Sequence, residues 1–155
     1  MTIITTTNLT KIYGKGDTAV TALRGINLRL AAGEFVAVMG PSGCGKSTLL
    51  HLIGGLDRPT SGDVTLAGQS IAALDDDALT AVRRRQIGFI FQFYNLLPVL
   101  NATENAALPL ILDGMKAAEA RSRAVEWLKR QKDKKIVGVF RMQEFQTWAN
   151  KGGLK

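Results

Sequence analysis

The chain has 155 residues, 46% hydrophobic and 21% charged, which suffices for one ordinary core. Its formal charge of +7 is not spread evenly: residues 129–155 carry eight basic and two acidic side chains against twelve and eleven before them, so a basic face for nucleic acid is weakly supported. A single cysteine excludes an internal disulfide, no apolar run reaches membrane-spanning length, and MTIITTTNLTKIYG lacks a secretory leader's basic start and apolar core; the expectation is a cytoplasmic protein able to dock on a membrane partner.

In chain order, residues 2–12 and 19–30 read as strands around a turn at Gly14-Lys15-Gly16-Asp17, with Ile26, Leu28 and Leu30 alternating. Tyr13 stands just before that turn, either as a half-buried strand residue or as an aromatic placed to stack on a base. The run Phe35-Val36-Ala37-Val38-Met39 then reads as an apolar strand. It breaks at Gly40, passes through glycines at 40, 43 and 45, and enters a helical pattern after Lys46.

Strand, glycine-rich loop and helix form the context that gives the spacing Gly40, four residues, Gly45-Lys46-Ser47 its meaning as a phosphate-binding loop. Glycines let successive backbone N–H groups turn inward without Cβ clashes, which makes a concave nest for anionic oxygens at a helix N-terminus. Lys46 supplies a point charge for the β- and γ-phosphates and Ser47 a hydroxyl for Mg2+. Cys44, inside the loop, is a small residue that fits or an accessible thiol. His51, four residues after Ser47, reads as a packed or surface histidine.

The helix should end at Gly54-Gly55, followed by a turn over 58–62 and a short strand over Asp63–Leu66. Asp75-Asp76-Asp77 opens and Arg83-Arg84-Arg85 closes a helical pattern, a charge segregation that complements the helix dipole. Ile87–Phe91 reads as a buried strand that delivers Gln92 to its C-terminal end, the edge where ligands sit in open α/β sheets. Asn101 and Glu104 have capping-box spacing and open a helix at Ala102, which Pro109 should kink or end. A second helix over Lys116 to about Arg130 carries Ala117, Ala120, Ala124 and Leu128 on one stripe and pairs Glu126 with Arg130. After Gln131 the character changes; Ile136–Phe140 reads as a strand and Arg141–Asn150 as a short helix.

With Tyr13, GPSGCGKSTLL and FIFQFYNLLP in place, residues from about 3 to 130 resemble the ATP-binding subunits of ABC transporters, and more narrowly the branch serving lipoprotein release and macrolide export. The resemblance implies an α/β, P-loop nucleotide hydrolase-like core with an N-terminal antiparallel β portion and a partial helical lobe, incomplete relative to the family. It divides the chain into a partial ATP-binding domain, 1–130, and a divergent basic tail, 131–155. It implies Tyr13 as the adenine-stacking aromatic and Ser42, Gly43, Cys44, Gly45, Lys46, Ser47 and Thr48 as the phosphate cradle. Ser47 and Gln92 would contact Mg2+, with Gln92 also sensing the attacking water. Phe93–Leu100 would receive a membrane permease, which implies a peripheral position at the inner face of the cell membrane.

The family continues with a Leu-Ser-Gly-Gly-Gln signature, an apolar strand ending in Asp-Glu and a switch histidine, and none of these runs occurs here. Phosphoryl transfer needs a carboxylate for the Mg2+ shell and a group that polarises water, so turnover by this chain alone is expected to be very low. The alternative is a non-hydrolysing fragment that binds ATP or permease. Members of the family form homodimers that sandwich ATP between one subunit's phosphate loop and the other's signature, which two copies of this chain would not complete. The missing strands also belong to the phosphate-loop strand's sheet, so exposed sheet edges are expected, with Ile136–Phe140 either a substitute strand or unrelated sequence.

Overall fold

The computed structural model describes residues 1–91 and 95–132. The chain divides into two compact units within one helix, after Thr80.

The first unit is built on two long strands, β1 (Thr2–Tyr13) and β2 (Val20–Ala31), joined by a 3-10 turn over Gly16–Thr18. They pair antiparallel with Tyr13 opposite Val20, as the alternation and the turn glycines predict. β3 (Ser61–Leu66) and β4 (Gln69–Ser70) complete a sheet of order β2-β1-β3-β4. Its core is Leu9, Leu23, Val64, Leu66 and Ile71, joined by Leu49 and Leu52 from α1 (Lys46–Ile53) and by Leu79. Thr6 is buried with them because its hydroxyl donates to the Ile26 carbonyl at 2.9 Å.

β1 is bulged at Asn8, whose φ is 46°. Asn27 satisfies the bulge: its Oδ1 accepts from the Asn8 N–H at 2.9 Å, and its amide donates to Asn8 Oδ1 at 3.2 Å.

The runs 35–39 and 87–91, predicted as strands, carry no strand pairing among the described residues. Phe35 is 96% and Met39 87% exposed, and Ile90 and Phe91 are also on the surface. An apolar run is the signature of a strand buried on both faces, but the run supplies only itself; the ladder needs a partner, and neither run is paired with one among the described residues.

α2 (Asp76–Gln86) begins on acids and ends on arginines as predicted. The second unit packs α3 (Ala102–Leu112) on α4 (Ala117–Lys132) through Ala106, Ala107, Leu110, Ala120 and Ala124. Ala120 and Ala124 of the predicted stripe are wholly buried, Leu128 is half-buried, and Ala117 is exposed. Arg130 pairs with Glu126 at 2.6 Å. The capping box is complete, with Glu104 N–H donating to Asn101 Oδ1 and Asn101 N–H to Glu104 Oε2.

Pro109 does not end α3. The helix runs on to Leu112 and stops where Gly114, at φ 94°, lets its N–H reach the Ile111 carbonyl and the Met115 N–H reach Leu110. The ring deletes one ladder bond, while the buried Leu110 beside it keeps the turn packed. The strand read at Ile136–Phe140, the helix at Arg141–Asn150 and the whole tail beyond 132 lie outside the described residues.

Candidate functional site: a phosphate loop and an anchored aromatic

The loop from Gly40 to Gly45 leads into α1, and Gly45 is its N-cap at φ 92° and ψ 4°, with no side-chain oxygen capping the helix. The first intrahelical bond runs from the Leu49 N–H to the Gly45 carbonyl at 2.9 Å. The N–H groups of Lys46, Ser47 and Thr48 therefore lack ladder partners and project past the helix end, an arrangement that suits anionic oxygens.

Gly45 is sterically required, and Gly40 is closely approached by a side chain. A Cβ on Gly45 would stand 2.5 Å from the Ala22 carbonyl oxygen of β2, and one on Gly40 would stand 2.8 Å from Cys44 Sγ. The loop is thus pressed backbone to backbone onto the sheet at one end and folded tightly on itself at the other.

Lys46, half-buried, bends back over this loop: its Nζ donates to the Gly40 carbonyl at 2.9 Å and the Pro41 carbonyl at 2.7 Å, and lies 3.6 Å from Cys44 Sγ. The ammonium group sits among loop carbonyls at the mouth of the nest, so cation and orphan amides converge on one place. Ser42, Cys44 and Ser47 are exposed and Thr48 is half-buried. His51 is exposed.

Among the described residues no group of three His, Cys, Asp or Glu side chains could hold a metal by itself. Of the two residues expected to contact Mg2+, Ser47 stands in the first turn of α1 and Gln92 lies outside the described residues.

Tyr13 is 42% exposed at the end of β1. Lys11 pairs with Leu23 and Tyr13 with Val20, and Ala22, against which Gly45 packs, falls between them on β2, so strand register brings the aromatic to the same edge as the phosphate loop.

Sequence reading missed what holds the ring. Tyr13 donates its hydroxyl to Asp57 Oδ2 at 2.9 Å; Lys11 Nζ donates to Asp57 Oδ1 at 2.7 Å and to the Arg58 carbonyl at 2.7 Å, and stands over the Tyr13 ring 4.9 Å from its centroid. The Arg58 N–H gives Asp57 Oδ1 a further bond at 2.7 Å. Burial alone would raise the Asp57 pKa, but the bonds from Lys11, Tyr13 and the Arg58 amide, with the Lys11 charge, outweigh it and hold the carboxyl below its ordinary value. The available signal was the i, i+2 spacing of Lys11 and Tyr13, which puts them on one face of β1.

Of the predicted partner segment, residues 93 and 94 lie outside the described residues. Leu96, Leu97 and Val99 are exposed, Val99 by 89%. Asn105 holds this loop from α3: its Oδ1 accepts from the Leu97 N–H at 2.8 Å and its amide donates to the carbonyls of Leu97, Leu100 and Asn101.

Comparison with known proteins places these features in context. The family model described as ABC transporter matches residues 23–147. The lipoprotein-releasing system ATP-binding protein LolD of Geobacter metallireducens is 51% identical over 121 residues, covering 78% of this chain and 54% of its own length. The macrolide export ATP-binding/permease protein MacB of Hyphomonas neptunium is 50% identical, covering 76% of this chain and 18% of its own. A dimeric, post-hydrolysis structure of the ATP-binding cassette MJ0796 of Methanocaldococcus jannaschii, bound to ADP and Pi, superposes with a TM-score of 0.77 at 41% identity, over 96% of this chain and 70% of that one. In the sequence matches the chain spans about half the length of LolD and of MJ0796.

Proposed function

Because this chain belongs to the ABC transporter family, with the partial P-loop α/β fold of its ATP-binding cassettes, we propose that it is the ATP-binding component of a transporter and takes up MgATP at Gly40–Thr48. The observation that carries the reading is the uncapped start of α1 with the Lys46 ammonium folded over the same loop. Orphan amides and Lys46 hold the polyphosphate, Ser47 and Gln92 share the Mg2+, and Tyr13 stacks on the base. Parent proteins of this kind couple ATP hydrolysis to export or to extraction of substrate from a membrane. The exposed Leu96, Leu97 and Val99 support a permease-facing surface within Phe93–Leu100, which would place the chain at the inner face of the cell membrane.

Its own turnover is proposed to be very low. The sequence contains no Leu-Ser-Gly-Gly-Gln run and no Asp-Glu pair, so a second copy would not complete the composite site and no carboxylate of that kind serves the metal shell. Titration calorimetry and steady-state ATPase measured on one preparation test both parts. MgATP should bind, Lys46→Met should weaken binding at least about tenfold, the loss expected for one charge-assisted contact, and hydrolysis should be near background. Well-folded protein that takes up no nucleotide refutes the site. Robust turnover abolished by Lys46→Met refutes the second part.

A further inference from the structure

We propose that Asp57 and Lys11 form a positioning clamp for the base-binding aromatic, and that this clamp sets affinity for the nucleoside part of the ligand independently of the phosphate loop. The inference rests on the proposed ATP site. Tyr13 is at the end of a strand next to a turn, where an exposed ring would otherwise sample several rotamers. Here it is fixed at two places. Its hydroxyl is tied to Asp57 Oδ2 at 2.9 Å, and Lys11 stands above the ring, itself held by Asp57 Oδ1 and the Arg58 carbonyl at 2.7 Å each.

The arrangement is more than a surface ion pair. Lys11 is only 12% and Asp57 29% exposed at the side chain, and the carboxylate accepts from three donors on two segments, β1 and the exit of α1. With the cation over one ring face, a base can stack only on the opposite face, so the clamp chooses the face as well as the ring angle. It removes rotamer entropy before the ligand arrives, the general route by which preorganisation raises affinity. None of its bonds reaches the Gly40–Thr48 loop, so its effect should be confined to the base.

The test uses the full chain, with ATP and inorganic tripolyphosphate as probes, titrated in the presence of Mg2+. A stacked base is worth about 5- to 150-fold in affinity, and loosening the ring should forfeit part of that. Asp57→Asn and Lys11→Met should each weaken ATP binding about 3- to 10-fold while leaving tripolyphosphate unchanged, and Tyr13→Phe should resemble Asp57→Asn. In a Tyr13→Ala background Asp57→Asn should have no further effect on ATP, which a merely structural role would not produce. With Lys11 over the Tyr13 ring, its ε-methylene proton resonance should be shifted upfield in the wild type and return to its ordinary position in Asp57→Asn. Equal weakening of ATP and tripolyphosphate, additive losses with Tyr13→Ala, or unchanged ATP affinity with an unchanged Lys11 resonance overturns the clamp. Wild-type protein that binds tripolyphosphate and ATP equally tightly overturns the clamp but leaves the phosphate site standing; failure to bind either overturns both.

Discussion

Gly45→Ala tests how the phosphate loop is held, and its cost can be worked from the structure. Two penalties act together. An alanine at φ 92° and ψ 4° lies in the left-handed region, worth about 1–2 kcal/mol. The new Cβ also meets the Ala22 carbonyl oxygen at 2.5 Å, where ordinary contact begins near 3.4 Å, so loop and strand must separate by about 0.9 Å. Ala22 belongs to β2, which is laddered to β1 along its length, so the loop is the part that yields. Overpacking of that kind adds about 1–3 kcal/mol, for a total of about 2–5 kcal/mol once the Leu23 methyl has rotated away. Gly43→Ala is the control, because it has a similar φ of 79° but nothing within 4 Å of the added carbon. Urea denaturation should show Gly45→Ala with a midpoint lower by roughly 1–2 M and Gly43→Ala by half of that or less. Calorimetry should show Gly45→Ala losing most MgATP affinity. Equal midpoints for the two variants would refute the docking of the loop on β2 as the source of its rigidity.

Other outcomes follow from single features. Asn101→Ala removes the α3 cap and should cost about 0.5–2 kcal/mol, seen as faster amide exchange in the first turn of α3; unchanged exchange would deny the cap any energetic role. Asp57 has a depressed folded pKa, so its stabilisation is complete above the unfolded value near pH 4 and is lost as pH falls through the lower folded value. The stability difference between wild type and Asp57→Asn should accordingly be constant from pH 7 to about pH 5 and shrink below about pH 4; a difference that does not shrink on acidification contradicts the assignment. Lysines at Phe35 and Met39 should change stability by no more than about 0.5 kcal/mol, since both side chains are almost fully exposed, while raising the concentration at which the protein aggregates; a large drop in melting temperature would mean the run is packed. Maleimide should label the exposed Cys44, and MgATP should slow the labelling because nucleotide closes the loop mouth; labelling indifferent to nucleotide counts against the site.

Where a signal was carried by local chemistry, the sequence was sufficient. The β1–β2 hairpin follows from alternation and turn glycines, the start of α3 from Asn101 and Glu104, and the start of α1 from the glycine spacing before Lys46. Of the two outcomes expected of Pro109, a kink or an end, the end does not occur: the proline penalty is read from the backbone alone, whereas Leu110 and the alanines of α3 gain burial against α4, and the helix stops at the left-handed Gly114. The strands at 35–39 and 87–91 were misread for the converse reason. Their apolar content states a preference for a sheet interior and says nothing about whether neighbours stand beside them. The Lys11–Asp57 link escaped because it joins residues 46 apart that share no periodicity, and only the path of the chain after Gly55 brings them together.

The missing ladder bears directly on the site. In a strand–loop–helix nest, the strand would ordinarily fix where the loop begins, yet residues 34–40 carry no strand pairing among the described residues. The nest is instead fixed from its far end, by Gly45 against Ala22 and by Leu49 and Leu52, which anchor α1 in the core. At the near end, the bonds from Lys46 to Gly40 and Pro41 tie the loop to its own helix. Those bonds use the same ammonium that a polyphosphate would recruit. On the proposed function, binding would exchange loop carbonyls for phosphate oxygens, and the affinity for MgATP would be the surplus of the second set of charge-assisted bonds over the first. A loop clamped at both ends by paired backbone would owe less to Lys46 in the free state, so Lys46→Met in this chain should loosen the empty loop as well as weaken binding. Faster amide exchange at Gly43 and Cys44 in nucleotide-free Lys46→Met would bear that out, and unchanged exchange would mean that the far-end anchors alone hold the nest.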